Sequence, residues 1–447
     1  MATTIRRGRY YWRLIRELAH AHTAWLVVGF LVGLIGSFVS VRLFPSVPSQ
    51  MTLPTIRTAL VGDFTSSALP PSIQQLVSRG LTQLDDEGLP KPALSLSWQA
   101  TDSGRTYEFI LNPLYVWHNG KPVDAGDVNY NIRDVTFSVK DKTTLRASLK
   151  EPFSPFLSLV AKPLFQSGLR GFGPYKVDTI RLKGDSVQYL KLTSAGPERL
   201  PVREYRFYKT EAQAITAFKL GDIDRIDELT NADDLKAISQ GQKKETVRYD
   251  RVVALYFNTG DPFVSEKSIR QALAYAVPTF PEERARSPIS IKSWGYTDEV
   301  RLYDFDAAQA KKLLTKAGVA TRSATLTLTT FPAYVDVAQA IAKSWTSLGV
   351  ATLVKVETSV TSGFQVLLGA QNIPPDPDQY PLWHQTQKQT NLTGYANVKI
   401  DKLLEDGRRE LDIEKRKKIY ADFAKRLVED APAVFLYYPK TYTISRR

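Results

Sequence analysis

The chain has 447 residues, roughly three times the size of a typical single-core domain, so two lobes are the natural expectation. Apolar residues make up 43% and charged residues 23%, with 25 glycines and 26 prolines spread along the chain, which excludes collagen-like and wholly disordered readings. No cysteine is present, which excludes disulfides, thiolate metal sites, thiol nucleophiles and lipid attachment through a cysteine; part of the net charge of +13 sits at the start, where Arg6, Arg7, Arg9, Arg13 and Arg16 face only Glu17.

Those arginines precede an uncharged run, Thr23 to Val41, reading TAWLVVGFLVGLIGSFVSV. At 1.5 Å rise per residue such a run crosses a hydrocarbon core of about 30 Å. Only Arg42 follows closely, so the positive-inside rule places a basic segment (1–23) in the cytoplasm, a transmembrane helix over 24–43, and everything after it outside the cytoplasmic membrane. A cleaved signal peptide is the rival reading, but its apolar region is shorter and ends at a small-x-small site. Ile5, Tyr11, Leu14, Ile15 and Leu18 fit either an interfacial helix or a plain topogenic flank. Pro45, Pro48 and Pro54 then mark a stiff linker over 44–52.

The outer part alternates strand and helix patterns. TIRTALVG (55–62) alternates like a strand, and PSIQQLVSRG reads as a helix stopped by Gly80. YEFIL, VTFSV, YKVDTIRL and VQYLKLT read as strands, the last two forming a hairpin through Lys183-Gly184-Asp185. Thr210 to Gln213 matches a capping box opening the helix EAQAITAFKLG, ended by Gly221, and Asn231 caps a further helix through Ser239. After the strand RVVALYFN (251–258) come a helix through IRQALAYAV and another, DFDAAQAKKLLTKAG, capped by Asp304 or Asp306 and ended by Gly318. ATLTLTT (324–330), a helix from Tyr334 to Leu348 stopped by Gly349, and ATLVKVE (351–357) form a βαβ unit with parallel strands. FQVLLG is a further strand; two charged helices, IDKLLEDGRREL and EKRKKIYADFAKRLVED, precede a final strand AVFLYY.

Catalytic signatures are missing. Of four histidines only His118 and His384 lie outside the N-terminal region, without paired-histidine metal spacing, so no metal or cofactor is expected. No G-x-S-x-G elbow, P-loop or Rossmann glycine pattern occurs. Aromatic residues on irregular segments stand out instead: Trp117 and His118 before Asn119-Gly120, Trp294 in SIKSWGY, and IPPDPDQYPLWHQTQ (373–387), where prolines force an extended loop carrying Asp376, Asp378, Tyr380 and Trp383. Such a loop suits ligand capture, the plain alternative being a packed surface loop anchored by Trp383. Trp98, Trp117 and Trp345 read as core.

The segment RGLTQLDDEGLPKPALSLSWQATDSGRTYEFILNPLYVWHNGKPVDAGDVNY (79–130) resembles the signature region of the family 5 extracellular solute-binding proteins, the peptide and nickel receptors of ABC importers. Matches continue in family order with FGPYKV, ITAFKLGDIDRID, LYFNTGDPFVSEKSIRQALAYAV, YDFDAAQAKKLLTKAG, DPDQY and the stretch 394–438. The resemblance implies an α/β, two-lobed, periplasmic-binding-protein-like fold of the class II type: lobe I over 53–250, lobe II over 251–433, and 434–447 returning as a strand to lobe I. It implies binding by enclosure without chemistry. The expected role is a membrane-tethered, monomeric receptor that binds a peptide or similar small solute in an interlobe cleft and serves ABC permease subunits, with no enzymatic activity and no nucleic acid. The alternative is a sensory or assembly module using the same cleft for a protein segment.

By that analogy the ligand-binding residues are Tyr256 and Asn258 at the crossing between lobes, Trp294, Asp376, Asp378, Tyr380 and Trp383 from lobe II, and Thr65 and Ser66 after the first strand. The sequence departs from the family at LLGAQNIPP, where peptide receptors often carry an ammonium-binding aspartate and a tryptophan; Gln371, Asn372 and Ile373 stand there, with Asp376 or Asp378 as substitutes. The stretches after Tyr130 and after Val277 are shorter than usual, which marks a shortened member.

Overall fold

The structure is a computed structural model and describes residues 23–25, 28–34, 53–128, 130–231, 241–319, 325–359 and 363–446. It divides into two units, Met1–Pro54 and Thr55–Arg447. In the first, residues 23–25 and 28–34 are helical, and Trp25, Phe30 and Val32 are exposed. Among the described residues no helix is long and apolar enough to cross a membrane. The remainder of the expected span over 24–43, the basic segment up to residue 22 and the whole linker over 44–52 lie outside the described residues, as does the helix expected from Asn231 to Ser239.

The second unit opens with β1 (Thr55–Val61), α1 (Pro71–Val77) and a tight hairpin of β2 (Thr82–Leu84) and β3 (Pro90–Pro92). Next come β4 (Ser95–Thr101), β5 (Thr106–Leu111), β6 (Val135–Val139) and β7 (Thr144–Leu149), which form an antiparallel sheet of their own in the order β4-β5-β7-β6. Its inner face, Tyr107, Phe109, Leu145 and Ala147, closes on Trp117 and on Phe156 of α2 (Phe156–Leu159). Trp117 is core, as expected, and its indole N–H donates to Asp127 Oδ2 at 2.8 Å.

β8 (Tyr175–Lys183) and β9 (Ser186–Ser194) form the expected hairpin, followed by β10 (Val202–Tyr208), α3 (Glu211–Leu220), β11 (Arg225–Leu229) and β12 (Gln242–Val247). These strands and β1 build a seven-stranded sheet in the order β12-β18-β11-β1-β10-β9-β8, where β18 (Lys440–Ser445) is the last strand of the chain. β1 runs parallel to β10 and β11. Thr210 caps α3 by accepting from Gln213 N–H, and Gly221 ends it at φ +85°, a left-handed position. The helix lays Ala214, Ile215 and Phe218 on Ala59, Ile226 and Ile444 on one sheet face, while α1 lays Ile73 and Val77 on Leu60, Leu190 and Phe207 on the other.

β13 (Arg251–Phe257) begins a second sheet. After it come α4 (Lys267–Tyr275), α5 (Ala307–Lys316), β14 (Leu326–Thr330), α6 (Val335–Ser347), β15 (Thr352–Val356) and β16 (Val366–Asn372). α7 (Tyr380–Trp383), α8 (Val398–Arg409), α9 (Ile413–Asp430) and β17 (Ala433–Tyr437) complete it. The order is β15-β14-β16-β13-β17, with β14 and β15 parallel as the βαβ reading requires. β13 is buried along nearly its whole length because it lies inside the sheet with helices packed around it. Asp306, not Asp304, caps α5 by accepting from Gln309 N–H. The apolar strand AVFLY stays in this second sheet beside β13, and the chain crosses to the first sheet only at Tyr438 and Pro439.

Candidate functional site

Two short crossings join the sheets, residues 248–250 between β12 and β13 and residues 438–439 between β17 and β18. They run side by side, with Arg248 N–H donating to Pro439 O at 2.8 Å. The Arg248 guanidinium grips Asp250 through Nε (2.9 Å) and Nη2 (2.7 Å) and reaches Glu228 through Nη1 at 2.8 Å. Burial acts to raise the Asp250 carboxyl, but this bidentate guanidinium holds it below the usual carboxylate range. Glu228 sits at φ +61° where the β11–β18 register slips, a bulge that aims its side chain at the crossing.

A cavity of about 480 Å³ flanks this junction, within the size range of small-ligand sites. Its walls are the Asp85–Gly88 turn between β2 and β3, Tyr249 and Asp250 of the crossing, Ser290, Lys292 and Ser293, and Ile373 to Pro375. The turn is held against the second sheet's loops: Trp294 N–H donates to Glu87 O at 3.1 Å, and Gly88, at φ +86°, lies so close that a Cβ there would come 2.3 Å from Pro375 O. Asp85 folds the turn by accepting from Glu87 and Leu89 N–H and pairs with Lys91, whereas the Asp86 and Glu87 carboxylates carry no partner among the described residues. The Lys292 ammonium lies 4.9 Å from the Tyr249 ring centre, and Tyr249 donates to Glu283 Oε2 at 2.7 Å, a bond that raises its phenol. A neighbouring cavity of about 540 Å³ lies over the first sheet beside α1 and reaches the same crossing at Arg248.

β16 leaves part of its backbone open next to this junction. Its pairing with β14 ends at Thr330↔Leu368, while its pairing with β13 continues to Arg251↔Asn372. Ile373 N–H donates to Asp250 O, so odd-numbered residues face β13, and the N–H and C=O groups of Ala370 and Asn372 face the side where β14 has stopped. Both residues are exposed, which leaves a short strand edge able to pair with an extended chain.

The expected site residues fall into separate places. Tyr256 is buried, its phenol raised by burial, and donates to Gln371 Oε1 at 3.0 Å beneath the open edge. Asn258 is engaged locally, donating to Phe364 O at 3.0 Å and accepting from Gly260 N–H. Trp294 stacks beneath the Arg416 guanidinium, 4.9 Å from its ring centre. Arg416 also pairs with Asp376 through both terminal nitrogens, at 2.8 and 3.3 Å. Burial pushes the Asp376 carboxyl up, and Arg416 offsets part of that rise. Asp378 is held by Arg408 through Nε and Nη2, at 2.9 and 2.8 Å. Arg408 in turn lies 3.9 Å from the Tyr380 ring centre, and Tyr380 stacks on His384. Trp383 is buried against Phe435. Thr65 bridges to Ser186 at the β8–β9 turn, with Ser66 exposed beside it. The DPD carboxylates therefore anchor their loop to α8 and α9, and none of these nine residues lines the cavity at the crossing.

Residues that do line it, Asp86, Glu87, Tyr249, Lys292 and Ile373 to Pro375, carry weak sequence signals. The D-D-E-G turn between two short strands was the one usable cue, since a glycine closing an acidic turn marks a hairpin tip.

A family model described as bacterial extracellular solute-binding proteins, family 5, middle part, matches residues 90–392. The probable D,D-dipeptide-binding periplasmic protein DdpA of Escherichia coli is 24% identical, the alignment covering 84% of each chain. NikZ from Campylobacter jejuni, solved in complex with Ni(L-His), superposes with a TM-score of 0.72 at 21% identity, covering 88% of this chain and 94% of that one. AppA from Bacillus subtilis, solved in complex with a nonapeptide, superposes at 0.68 and 20% identity, with the same coverage. These likenesses establish the fold as the two-lobed α/β architecture of periplasmic binding proteins.

Proposed function

We infer the role of this protein from its family: the chain belongs to the bacterial extracellular solute-binding proteins of family 5. It binds a peptide or similar small solute between its lobes outside the cytoplasm, leaves the solute chemically unaltered, and passes it as a monomer to ABC permease subunits. Lobe I is the body before the Arg248 crossing together with the final strand, and lobe II the body between the two crossings. The uncharged run from Thr23 to Val41, preceded by five arginines and exposing Trp25 and Phe30 where it is described, tethers the receptor to the membrane with its N-terminus inside.

The observation that carries this reading is the open edge of β16 at Ala370 and Asn372, beside a cavity walled by segments from both sides of the crossings. An extended peptide adds main-chain hydrogen bonds to such an edge with little demand on its side chains. Tyr256 supports the edge through Gln371, and Trp294 with Asp376 and Arg416 holds the opposing loop; Asn258, Asp378, Tyr380 and Trp383 keep lobe II in shape around it, and Thr65 and Ser66 border the entrance on lobe I. The ligand's ammonium group, if it has one, meets Asp86 or Glu87 in place of the family's aspartate.

The test is Asn372→Pro, which deletes an outward N–H without removing a bond to β13. Titration calorimetry with the solute that co-purifies with the full chain should show affinity weakened roughly threefold to tenfold, the value of one hydrogen bond, with the melting temperature nearly unchanged. Unchanged affinity would refute strand-edge binding.

A further inference from the structure

The C-terminal end of α8 is held from far upstream in the chain. A helix leaves its last carbonyls without partners inside the helix. Here Arg408 O accepts from the Ser154 N–H at 2.7 Å, and Gly407 O accepts from the Ser154 hydroxyl at 3.1 Å and from Arg416 Nε at 3.0 Å. Ser154 follows β7 of the small antiparallel sheet, so a residue before the first crossing holds the end of a helix that lies between the two crossings.

Neighbouring residues widen this contact. The Arg408 guanidinium lies 3.9 Å from the Tyr380 ring centre and 5.3 Å from that of Phe153. Arg409 pairs with Glu151 at 3.6 Å. Leu411 rests on Gly104, where a Cβ would come 2.8 Å from the leucine methyls. None of these residues belongs to the crossings or lines the cavities beside them.

The contact has the make-up of a surface that parts. The small sheet keeps its own core, with Tyr107, Phe109, Leu145 and Phe156, while α8 and α9 bury Ile400, Leu404, Tyr420 and Phe423 in another. Between the two lies a cavity of about 520 Å³, walled by Val135, Leu149 and Phe153 on one side and by Tyr380, Glu405 and Arg409 on the other. A permanent interior leaves few voids larger than a water molecule. Polar bonds around an unfilled gap match the surfaces along which bodies of one chain move. Arg408 also joins this contact to the loop at the crossings: its Nε and Nη2 hold Asp378, and that loop begins with Ile373 to Pro375 in the cavity wall.

We propose that the small β4–β7 sheet is a latch: Phe153 and Ser154 grip the end of α8 while a solute is held, and their release sets the rate at which the solute leaves. The inference rests on the solute-binding reading above, with its two lobes joined at the crossings, and adds a release step to it. Rotation of the lobes about the crossings carries Ser154 away from Arg408. Arg408, bonded to Asp378, is the side chain through which the 373–378 loop and the latch act on each other.

The experiment uses the absence of cysteine from the chain. Glu151→Cys with Arg409→Cys supplies the only two thiols, and a bis-methanethiosulfonate whose spacer matches the Glu151–Arg409 separation joins them reversibly. The full-length chain, immobilised in detergent micelles, is loaded with a pool of random peptides of three to eight residues, then cross-linked and washed. Retained peptide is followed over time by mass spectrometry. The cross-linked protein releases peptide at least severalfold more slowly than the same variant without the reagent, and reduction restores the rate. Ser154→Ala releases peptide roughly twofold to tenfold faster, the scale of one hydrogen bond, while its rate of loading is unchanged, a split that a merely structural loss does not produce. Release unaffected by the intact cross-link overturns the latch and leaves the receptor reading standing. Retention of no peptide by wild type overturns the receptor reading and this inference with it.

Discussion

Gly88→Ala probes how the Asp85–Gly88 turn meets the 373–375 loop. The residue sits at φ +86°, and a Cβ would approach Pro375 O to 2.3 Å. Two costs are therefore separable. Holding an alanine in the left-handed region costs about 1–2 kcal/mol wherever it occurs. The clash exists only when the Asp85–Gly88 turn rests on Ile373 to Pro375, so the turn must withdraw by more than half an ångström. That withdrawal strains the Trp294 N–H to Glu87 O bond, worth roughly 0.5–1.5 kcal/mol. Gly120→Ala is the matched control, because Gly120 has φ +84° and nothing within 4 Å of its Cβ. Thermal unfolding and small-angle scattering on both variants, with and without the co-purifying solute, give the comparison. Gly120→Ala should lose stability alone, whereas Gly88→Ala should lose roughly 0.5–1.5 kcal/mol more, expand in the scattering profile, and bind solute at least severalfold more weakly. Equal behaviour of the two variants would refute the idea that this contact supports a compact, solute-binding arrangement.

Further outcomes follow from the buried charges. Asp376→Asn, which leaves the Arg416 guanidinium buried with its counter-charge removed, should cost roughly 3–5 kcal/mol in urea unfolding, and Asp376→Leu with Arg416→Met together should cost clearly less than Arg416→Met alone. A double variant no milder than the single one would contradict the pairing. For acid unfolding, burial acts to raise the Asp430 carboxyl, but hydrogen bonds from Tyr395, Lys267 and Asn397 hold it below its usual range. Its contribution is therefore complete above about pH 4 and is lost as pH falls through the lower, folded value. The melting temperature of wild type should drop as the pH falls below about 4, and Asp430→Asn should flatten that drop; parallel curves would remove Asp430 from the acid transition.

How far the fold was legible depends on how local its signals are. Thr210, Asp306, Asn397 and Asp412 each cap the helix that follows by accepting its early N–H groups, and capping is written within four residues. The β14–α6–β15 unit was equally plain from its strand-helix-strand periodicity. The polar strand QKKETV escaped because an edge strand exposed on most of its residues has no apolar alternation to show. The crossing at Tyr438 and Pro439 escaped too, since the apolar AVFLY outweighs the threonine-rich β18 as a strand signal. In the site, the prolines of 373–387 mark a loop as far as Gln379, but Tyr380–Trp383 turn into α7, where Pro381 suits the first turn, and the partners of the loop's carboxylates lie 30 and 40 residues further on, on two different helices. Nothing local distinguishes an aspartate that waits for a ligand from one that is already paired.

The central claim is that the lobes enclose a solute and release it unaltered. Native mass spectrometry of the full chain purified from its own cells, followed by denaturation and analysis of what is released, tests it directly. The expected result is a one-to-one noncovalent adduct whose released component is small, rebinds on return to the protein and keeps its mass after prolonged incubation. A chain that is solute-free and retains no peptide offered to it, or a released component that is cleaved or modified on incubation, would contradict it.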